Sequence, residues 1–430
     1  MVSLAHIDNP KRSQSDSLQS KWYRYYAGFS ESFAKTALSS AELEENGWVL
    51  DPWNGSGTTS SSAVSLGINT YGFDLNPVMV IVAMARSLDP AEFPSLRPLA
   101  VDICRKARKT FEVEECDPLS TWLAPSSVGT IRALEYSIQK LLVDELTCAS
   151  ARVRQVEKFS DLAAFFYVAL FRVLRGILHP FLTSNPTWTK KPQNAKARLR
   201  PSGAEILALL RAEIHKMIPS PTDVGRRFGN KEKVIAVASS EKLPLGPACI
   251  DFVLGSPPYC TRIDYAVSTS IELSLLGYSA GGQFEGLRRS LIGNTTVPKT
   301  APSATDELGG TCLQFLDRLA SHPSKASPTY YLKNHLQYFY SVRASLAEIS
   351  RVMKGSARCM LVVQDSYYKD LHNDLPAMFI EMAAQQKLEL VGRRDFPLSR
   401  TMAGLNPRVK DYRQCRSALE SVLSFVKRGG

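Results

Sequence analysis

In Trp48-Val49-Leu50-Asp51-Pro52-Trp53-Asn54-Gly55-Ser56-Gly57-Thr58-Thr59, a short apolar run gives way to a glycine-rich turn and then to a helical pattern reaching Leu66. Strand, glycine turn and helix in this order let the backbone approach a ligand closely and aim a helix N-terminus at it. About twenty residues on, Thr70-Tyr71-Gly72-Phe73-Asp74-Leu75-Asn76-Pro77 reads as a second strand ending in an acid. An acid there is placed to bind sugar hydroxyls. Pro77 then opens another helix, at the first-turn position proline tolerates.

The third informative stretch is Ala248–Leu254, a strand-like run ended by Gly255-Ser256-Pro257-Pro258-Tyr259. Neither proline can donate to a strand ladder, so the strand stops and its end is held rigid. On its own this is an ordinary proline turn. Beside the other two stretches, its rigid carbonyls, the Ser256 hydroxyl and the Tyr259 ring suit gripping a planar, amine-bearing base.

Together these residues resemble the amino methyltransferases that act on DNA bases. Asp51-Pro52-Trp53-Asn54-Gly55-Ser56-Gly57-Thr58-Thr59 is similar to their cofactor motif, Asp-Pro-Phe-x-Gly-Ser-Gly-Thr-Thr, with Trp in place of Phe. Ser256-Pro257-Pro258-Tyr259 is similar to their catalytic motif, in the Ser form typical of the cytosine-N4 branch; Asp is typical of adenine-N6 enzymes. The resemblance covers roughly residues 20–90 and 232–415. It implies S-adenosylmethionine as cofactor, held by Asp51 to Thr59, by Asp74, Leu75 and Asn76, and by Tyr26, Phe29 and Phe33 beside the methionine end. It implies Ser256, Pro257, Pro258 and Tyr259 as catalytic residues and a seven-stranded sheet with one reversed strand. The family's acid after the third strand is replaced here by Ser239, with Glu241 two residues on.

Composition agrees with such a reading without specifying it. The chain has 430 residues, a net charge of +11 and 44% hydrophobic residues, enough for a sizeable core and favouring a polyanionic partner. Eight cysteines are scattered without a Cys-x-x-Cys pair, so neither a zinc site nor a disulfide framework is expected. A reducing cytoplasmic setting fits, with no signal peptide or membrane span in the pattern.

Residues 1–20 read as a polar, mobile arm. Between about 91 and 231 helical spacing replaces strand signals. Phe159–Leu178 is a buried helix interrupted by Asp161, Arg172 and Arg175, and Ile131–Leu146 carries a one-face apolar stripe. The segment 185–200 holds Lys190, Lys191, Lys196, Arg198 and Arg200 with Trp188 and no acid, a solvated basic loop or a phosphate-contacting segment. Arg226, Arg227, Lys231 and Lys233 add charge nearby, and Arg262 with Asp264 either shape the pocket or pair. Residues 277–328 read as a long loop. Leu332–Met353 reads as a helix ending at Lys354-Gly355, Cys359–Val363 as a strand and Leu388–Val391 as another; Asn406-Pro407-Arg408 and Tyr412-Arg413 close the resemblance.

The expected architecture is α/β: a Rossmann-like class I methyltransferase sheet formed by residues 21–90 and 232–430, with 91–231 as an inserted helical target-recognition region. The expected function is site-specific DNA methylation of an exocyclic base amine, cytosine N4 ahead of adenine N6, in modification or phage defence with partner proteins. The alternatives are an RNA base methyltransferase and a DNA-binding subunit of a defence complex. No metal is expected.

Overall fold

The computed structural model describes residues 7–11, 17–24, 28–107, 111–143, 154–183, 189–218, 231–260, 264–279, 281–297, 303–398 and 418–429. Tyr26, Trp188, Arg226, Arg227, Arg262, Asn406, Pro407, Arg408, Tyr412 and Arg413 lie outside them.

Strands β1 (Trp48–Asp51), β2 (Asn69–Asp74), β3 (Lys233–Val237), β4 (Ile250–Gly255), β5 (Met353–Gln364), β8 (Leu388–Leu398) and β9 (Ala418–Lys427) form one sheet in the order β3-β2-β1-β4-β5-β9-β8. Short strands β6 (Ser366–Tyr368) and β7 (Leu371–Asn373) make a separate hairpin. The pairings among β1 to β5 are parallel. Strand β9 runs antiparallel to both β5 and β8, the single reversed strand of the seven. Successive side chains point to opposite faces. Val49, Phe252, Leu254, Met360 and Val362 pack on one face, and Leu50, Val253, Leu361 and Val363 on the other. Burial on both faces explains why these strands read as continuous apolar runs.

The first face is covered by α1 (Glu31–Ser39) and α2 (Thr58–Ser65), the second by helices of the C-terminal half. Helix α3 (Pro77–Arg86), capped by the Asn76 side chain on the Val78 N–H, is buried along its whole length. It packs against α6 (Asp161–Ile177), and α4 (Phe93–Lys106), α5 (Pro125–Leu142) and α7 (Gly203–Met217) share the same hydrophobic core. Phe165, Phe166, Tyr167, Leu170 and Phe171 of α6 are fully buried. No helix among the described residues is long and apolar enough to cross a membrane.

After β4 come α8 (Tyr265–Ser268), α9 (Ser270–Leu275), α10 (Gly282–Ser290), α11 (Gly310–Ala320), α12 (Leu332–Val352) and α13 (Leu375–Gln385). Three expectations are corrected here. The span 277–328 is not a plain loop: it carries α10 and α11, and α11 buries Cys312, Phe315, Leu316 and Leu319. Helix α12 ends at Val352 and passes straight into β5, so Gly355 lies inside a strand. The N-terminal segment is not wholly a mobile arm: Ile7 is 2% exposed, packed in the core beneath α1.

Buried charge binds the helical block to the rest. Arg132 of α5, fully buried, holds both Asp117 oxygens (2.8 and 3.0 Å) and Glu135 (2.6 Å). It also donates to the carbonyls of Ser274 and Leu275, at 3.1 and 2.6 Å. Both carbonyls lie at the C-terminal end of α9, where carbonyls lack i+4 partners within the helix and a buried cation complements them. Arg154 completes the cluster on the two Glu135 oxygens, at 2.7 and 2.9 Å.

Candidate active site

In an open parallel sheet, ligands bind beyond the carboxyl ends of the strands where the strand order reverses. Here the chain leaves β1 toward β2 and β3, then returns to place β4 and β5 on the other side of β1. The ends of β1 and β4 are Asp51 and Gly255. A cleft of ≈ 930 Å³, counting the space open to solvent, lies at that point.

Phe29, Asp51, Pro52, Trp53, Asn54, Gly55, Ser56, Thr58, Asp74, Leu75 and Asn76 line it, and so do Ser256, Pro257, Pro258 and Tyr259. Two residues of the glycine motif stand behind the wall instead. Gly57 begins α2 with φ +81°, and a Cβ there would meet the Ala83 Cβ at 2.6 Å, so only glycine fits. Thr59 is buried; its hydroxyl donates to Asp51 Oδ2 at 2.6 Å. Phe33 is fully buried against Phe29. After β3 it is Ala238 and Ser240, rather than Ser239, that reach the cleft.

The two acids have different surroundings. Asp51 is buried and accepts from Thr59 and from the Trp53 N–H at 3.0 Å, which shapes the turn. Burial, helped by the nearby Asp74 charge and opposed by those two hydrogen bonds, pushes its pKa up to about 7. Asp74 is half-buried and accepts from the N–H groups of Gly55 (2.9 Å) and Asn76 (2.8 Å). Burial pushes its pKa up to about 6. The buried Oδ1 of Asn54 and Nε1 of Trp53 have no hydrogen-bond partner among the described residues. A ligand with hydroxyls, a carboxylate and an amine matches this set: an acid at β2, unused donor and acceptor atoms in the turn, and the N-terminus of α2.

A pH effect follows from Asp51. Its folded value lies above the ordinary 3.8, so its contribution to stability is fully present at low pH and is lost as pH rises toward about 7. Asp51→Asn is therefore expected to gain melting temperature relative to the parent at pH 8 compared with pH 5. Equal differences at the two pH values would contradict the assignment.

At the β4 end, the Ser256 hydroxyl donates to the Val362 carbonyl of β5 at 2.9 Å. Its lone pairs remain to accept. Tyr338 donates to the Pro258 carbonyl at 2.9 Å, and the Pro257 carbonyl has no partner among the described residues. The Tyr259 N–H faces the Tyr265 hydroxyl at 3.4 Å. Burial raises the Cys260 thiol to about 12, so it is held protonated. Asp264 caps α8 and pairs with Arg288 at 2.6 Å. Asn76 Nδ2 bonds Thr269 Oγ1 at 2.9 Å, joining the two halves of the cleft.

Sequence reasoning missed several participants. Tyr265, Thr269, Leu291 and Ile292 line the cleft. Arg86, buried on α3, grips the Ser56 carbonyl and hydroxyl at 2.9 and 2.7 Å from below the turn. Its signal was a lone cation at the end of an otherwise apolar helix. The basic segment lies outside the cleft: Lys190, Lys191, Lys196 and Arg200 are exposed and Arg198 half-buried. One end of it comes near the cleft, for Thr189 Oγ1 is 3.5 Å from Ser270 Oγ, next to the lining residue Thr269. Among the described residues no cluster of His, Cys, Asp and Glu could hold a metal ion.

The fold and site define an α/β protein with a cleft at the sheet's switch point, lined by the glycine-rich turn after β1, the acid ending β2 and the Pro-Pro-Tyr stretch after β4. The chain is 39% identical over 275 residues to the type II methyltransferase M.BsoBI of Geobacillus stearothermophilus, a match covering 60% of this chain and 52% of that one. It is 20% identical over 375 residues to the type II methyltransferase M.AvaI of a Nostoc strain, covering 81% and 75%. The chain thus spans about half the length of M.BsoBI. No protein-family model matches. Among solved structures, a SAM-dependent methyltransferase from Methanosarcina mazei aligns over 91% of this chain and 98% of its own, at 10% identity and a TM-score of 0.30. The YcgJ protein of Bacillus subtilis gives 10% and 0.31, over 92% and 98%.

Proposed function

We propose that the chain transfers a methyl group from S-adenosylmethionine to an exocyclic amine of a DNA base, cytosine N4 in the first instance. The observation that carries this reading is the opening of Ser256-Pro257-Pro258-Tyr259 into the same cleft as Asp74 and the Asp51–Ser56 turn. The likeness to two type II methyltransferases supports DNA as the substrate and a site-specific modification role; a restriction or defence partner is part of the proposal.

Asp74 would hold the ribose hydroxyls, and the turn and α2 would hold the methionine end. When bound, the cofactor supplies an electrophilic methyl on a sulfonium. The chain's own residues do the rest. A base amine is a poor nucleophile because its lone pair is delocalised into the ring. Hydrogen bonds accepted from its two N–H groups at Ser256 Oγ and the Pro257 carbonyl draw the nitrogen toward tetrahedral geometry and localise that pair; once methylated, the cationic amine sheds one proton to water and the other N–H is kept. Ser256 acts as an acceptor only, since its own proton is committed to Val362. Tyr259 stacks on the base, which in duplex DNA must be flipped out at a cost of roughly a few kcal/mol. Catalysis comes from positioning and electrostatics, with no covalent enzyme intermediate. The test is incubation with methyl-labelled cofactor and duplex DNA, tRNA or neither. Label on the DNA is expected; label on tRNA alone would favour an RNA enzyme, and none on either a binding subunit.

The basic segment near the cleft is assigned to the DNA backbone. Neutralising Lys190, Lys191, Lys196, Arg198 and Arg200 together is expected to weaken binding across all sequences. The log–log salt slope should fall by roughly one for each phosphate contact removed. An unchanged slope in fluorescence-anisotropy titrations would make the segment a solvated loop.

A further inference from the structure

The N-terminal segment reaches the candidate base pocket. Ile7 is buried, and Arg394 donates to its carbonyl at 2.8 Å. The Pro10 carbonyl accepts from the Ser30 N–H at 2.8 Å. So pinned, the segment extends Lys11 toward the cleft. The Lys11 ammonium donates to the Tyr259 hydroxyl at 2.9 Å and to the Gly28 carbonyl at 2.9 Å. Its third neighbour is Glu420 Oε1, at 3.4 Å.

Glu420 sits on the reversed strand β9, opposite Gln364 of β5 and Phe396 of β8, with its side chain 1% exposed. Its Oε2 is buried without a hydrogen-bond partner, and Lys11 is its sole ionic partner among the described residues. A buried carboxylate is retained at a cost, and here its charge serves one neighbour. We propose that Lys11 is a positioning residue for Tyr259. Clamped by Glu420, it fixes the hydroxyl end of the ring that stacks on the flipped base, and so sets the rate of methyl transfer without touching base or cofactor. Prolines rigidify the backbone before Tyr259 but leave its side-chain torsions free; the ammonium removes that freedom in advance of binding.

This rests on reading Tyr259 as the stacking ring, and the experiment separates the two. Single-turnover methylation of a duplex that keeps the target cytosine, with 2-aminopurine as its neighbour to report flipping, would compare Lys11→Met, Tyr259→Phe and their combination. Lys11→Met is expected to slow transfer by about 10- to 100-fold, the range in which small misplacements act. Cofactor and DNA affinities should stay near the parent's, the 2-aminopurine signal should change, and Lys11→Arg should recover part of the rate. The double variant should be no slower than the slower single one, because both remove one contact. Multiplying losses, or a parental rate in Lys11→Met, would overturn the proposal. If Lys11→Met melts early because Glu420 is left unpaired, Lys11→Met with Glu420→Gln restores neutrality. A rate that stays low in that variant supports the proposal, and a rate that recovers with stability overturns it. A parental rate in Tyr259→Ala would overturn the stacking reading as well. A slow Tyr259→Ala beside a normal Lys11→Met overturns only the role of Lys11.

Discussion

Glu135→Ala is expected to lower the unfolding free energy by about 3–5 kcal/mol, the cost of breaking a buried ion pair from one side. The side chain is fully buried and is the shared partner of Arg132 and Arg154, with Tyr167 donating to it at 3.0 Å. Removing it takes away the carboxylate that Arg132 and Arg154 share in the interior, leaving Asp117 as the remaining acid on Arg132. Burial alone would raise the Glu135 pKa, but the two arginines overcome that and hold it below its ordinary 4.5. The stabilisation it supplies is therefore present above that value and is lost as pH falls through the lower folded one. Urea unfolding at pH 7 should show the loss as a lower midpoint; an unchanged midpoint would contradict it. Because Arg132 also caps the end of α9, the damage should extend to the cleft wall at Thr269.

Ser256→Ala is expected to leave cofactor affinity intact and to slow methyl transfer by about 10²-fold or more, the scale of one oriented hydrogen bond at a centre where charge develops. Tyr259→Ala should weaken capture of the flipped base by about 1–3 kcal/mol, the worth of one stacking surface. Ser256→Asp should shift the ratio of adenine to cytosine methylation upward if this side chain helps set base preference. Single-turnover rates on oligonucleotides with one candidate base each would read all three. Parental rates in Ser256→Ala and Tyr259→Ala would reduce the stretch to a structural proline turn.

The parts of the molecule legible in sequence are those governed by local chemistry. Glycines at 55 and 57 and prolines at 257 and 258 restrict the backbone within a few residues, so β1, the turn into α2, and the stop after β4 could be read directly. The sheet follows from alternating strands and helices, and its reversed strand was available only through the family resemblance. Long-range pairings left no trace: nothing near Lys11 points to Glu420 or Tyr259. Arg132, Glu135 and Arg154 look like ordinary surface charges until burial is known. Helix α11 was readable and missed. Cys312, Phe315, Leu316 and Leu319 follow helical spacing, but the Gly, Ser, Thr and Pro around them dominated the reading. Asp51, read as a cofactor contact, lines the cleft and also holds the turn through Trp53 and Thr59, a second role its position in the motif did not reveal.

Mass spectrometry of nucleosides from duplex DNA incubated with the purified chain and methyl-deuterated S-adenosylmethionine addresses the proposed chemistry most directly. Deuterated N4-methylcytosine is the expected product, and it should disappear with Ser256→Ala. Deuterated 5-methylcytosine would contradict transfer to an exocyclic amine, and DNA without any deuterated nucleoside would contradict DNA methylation by this chain.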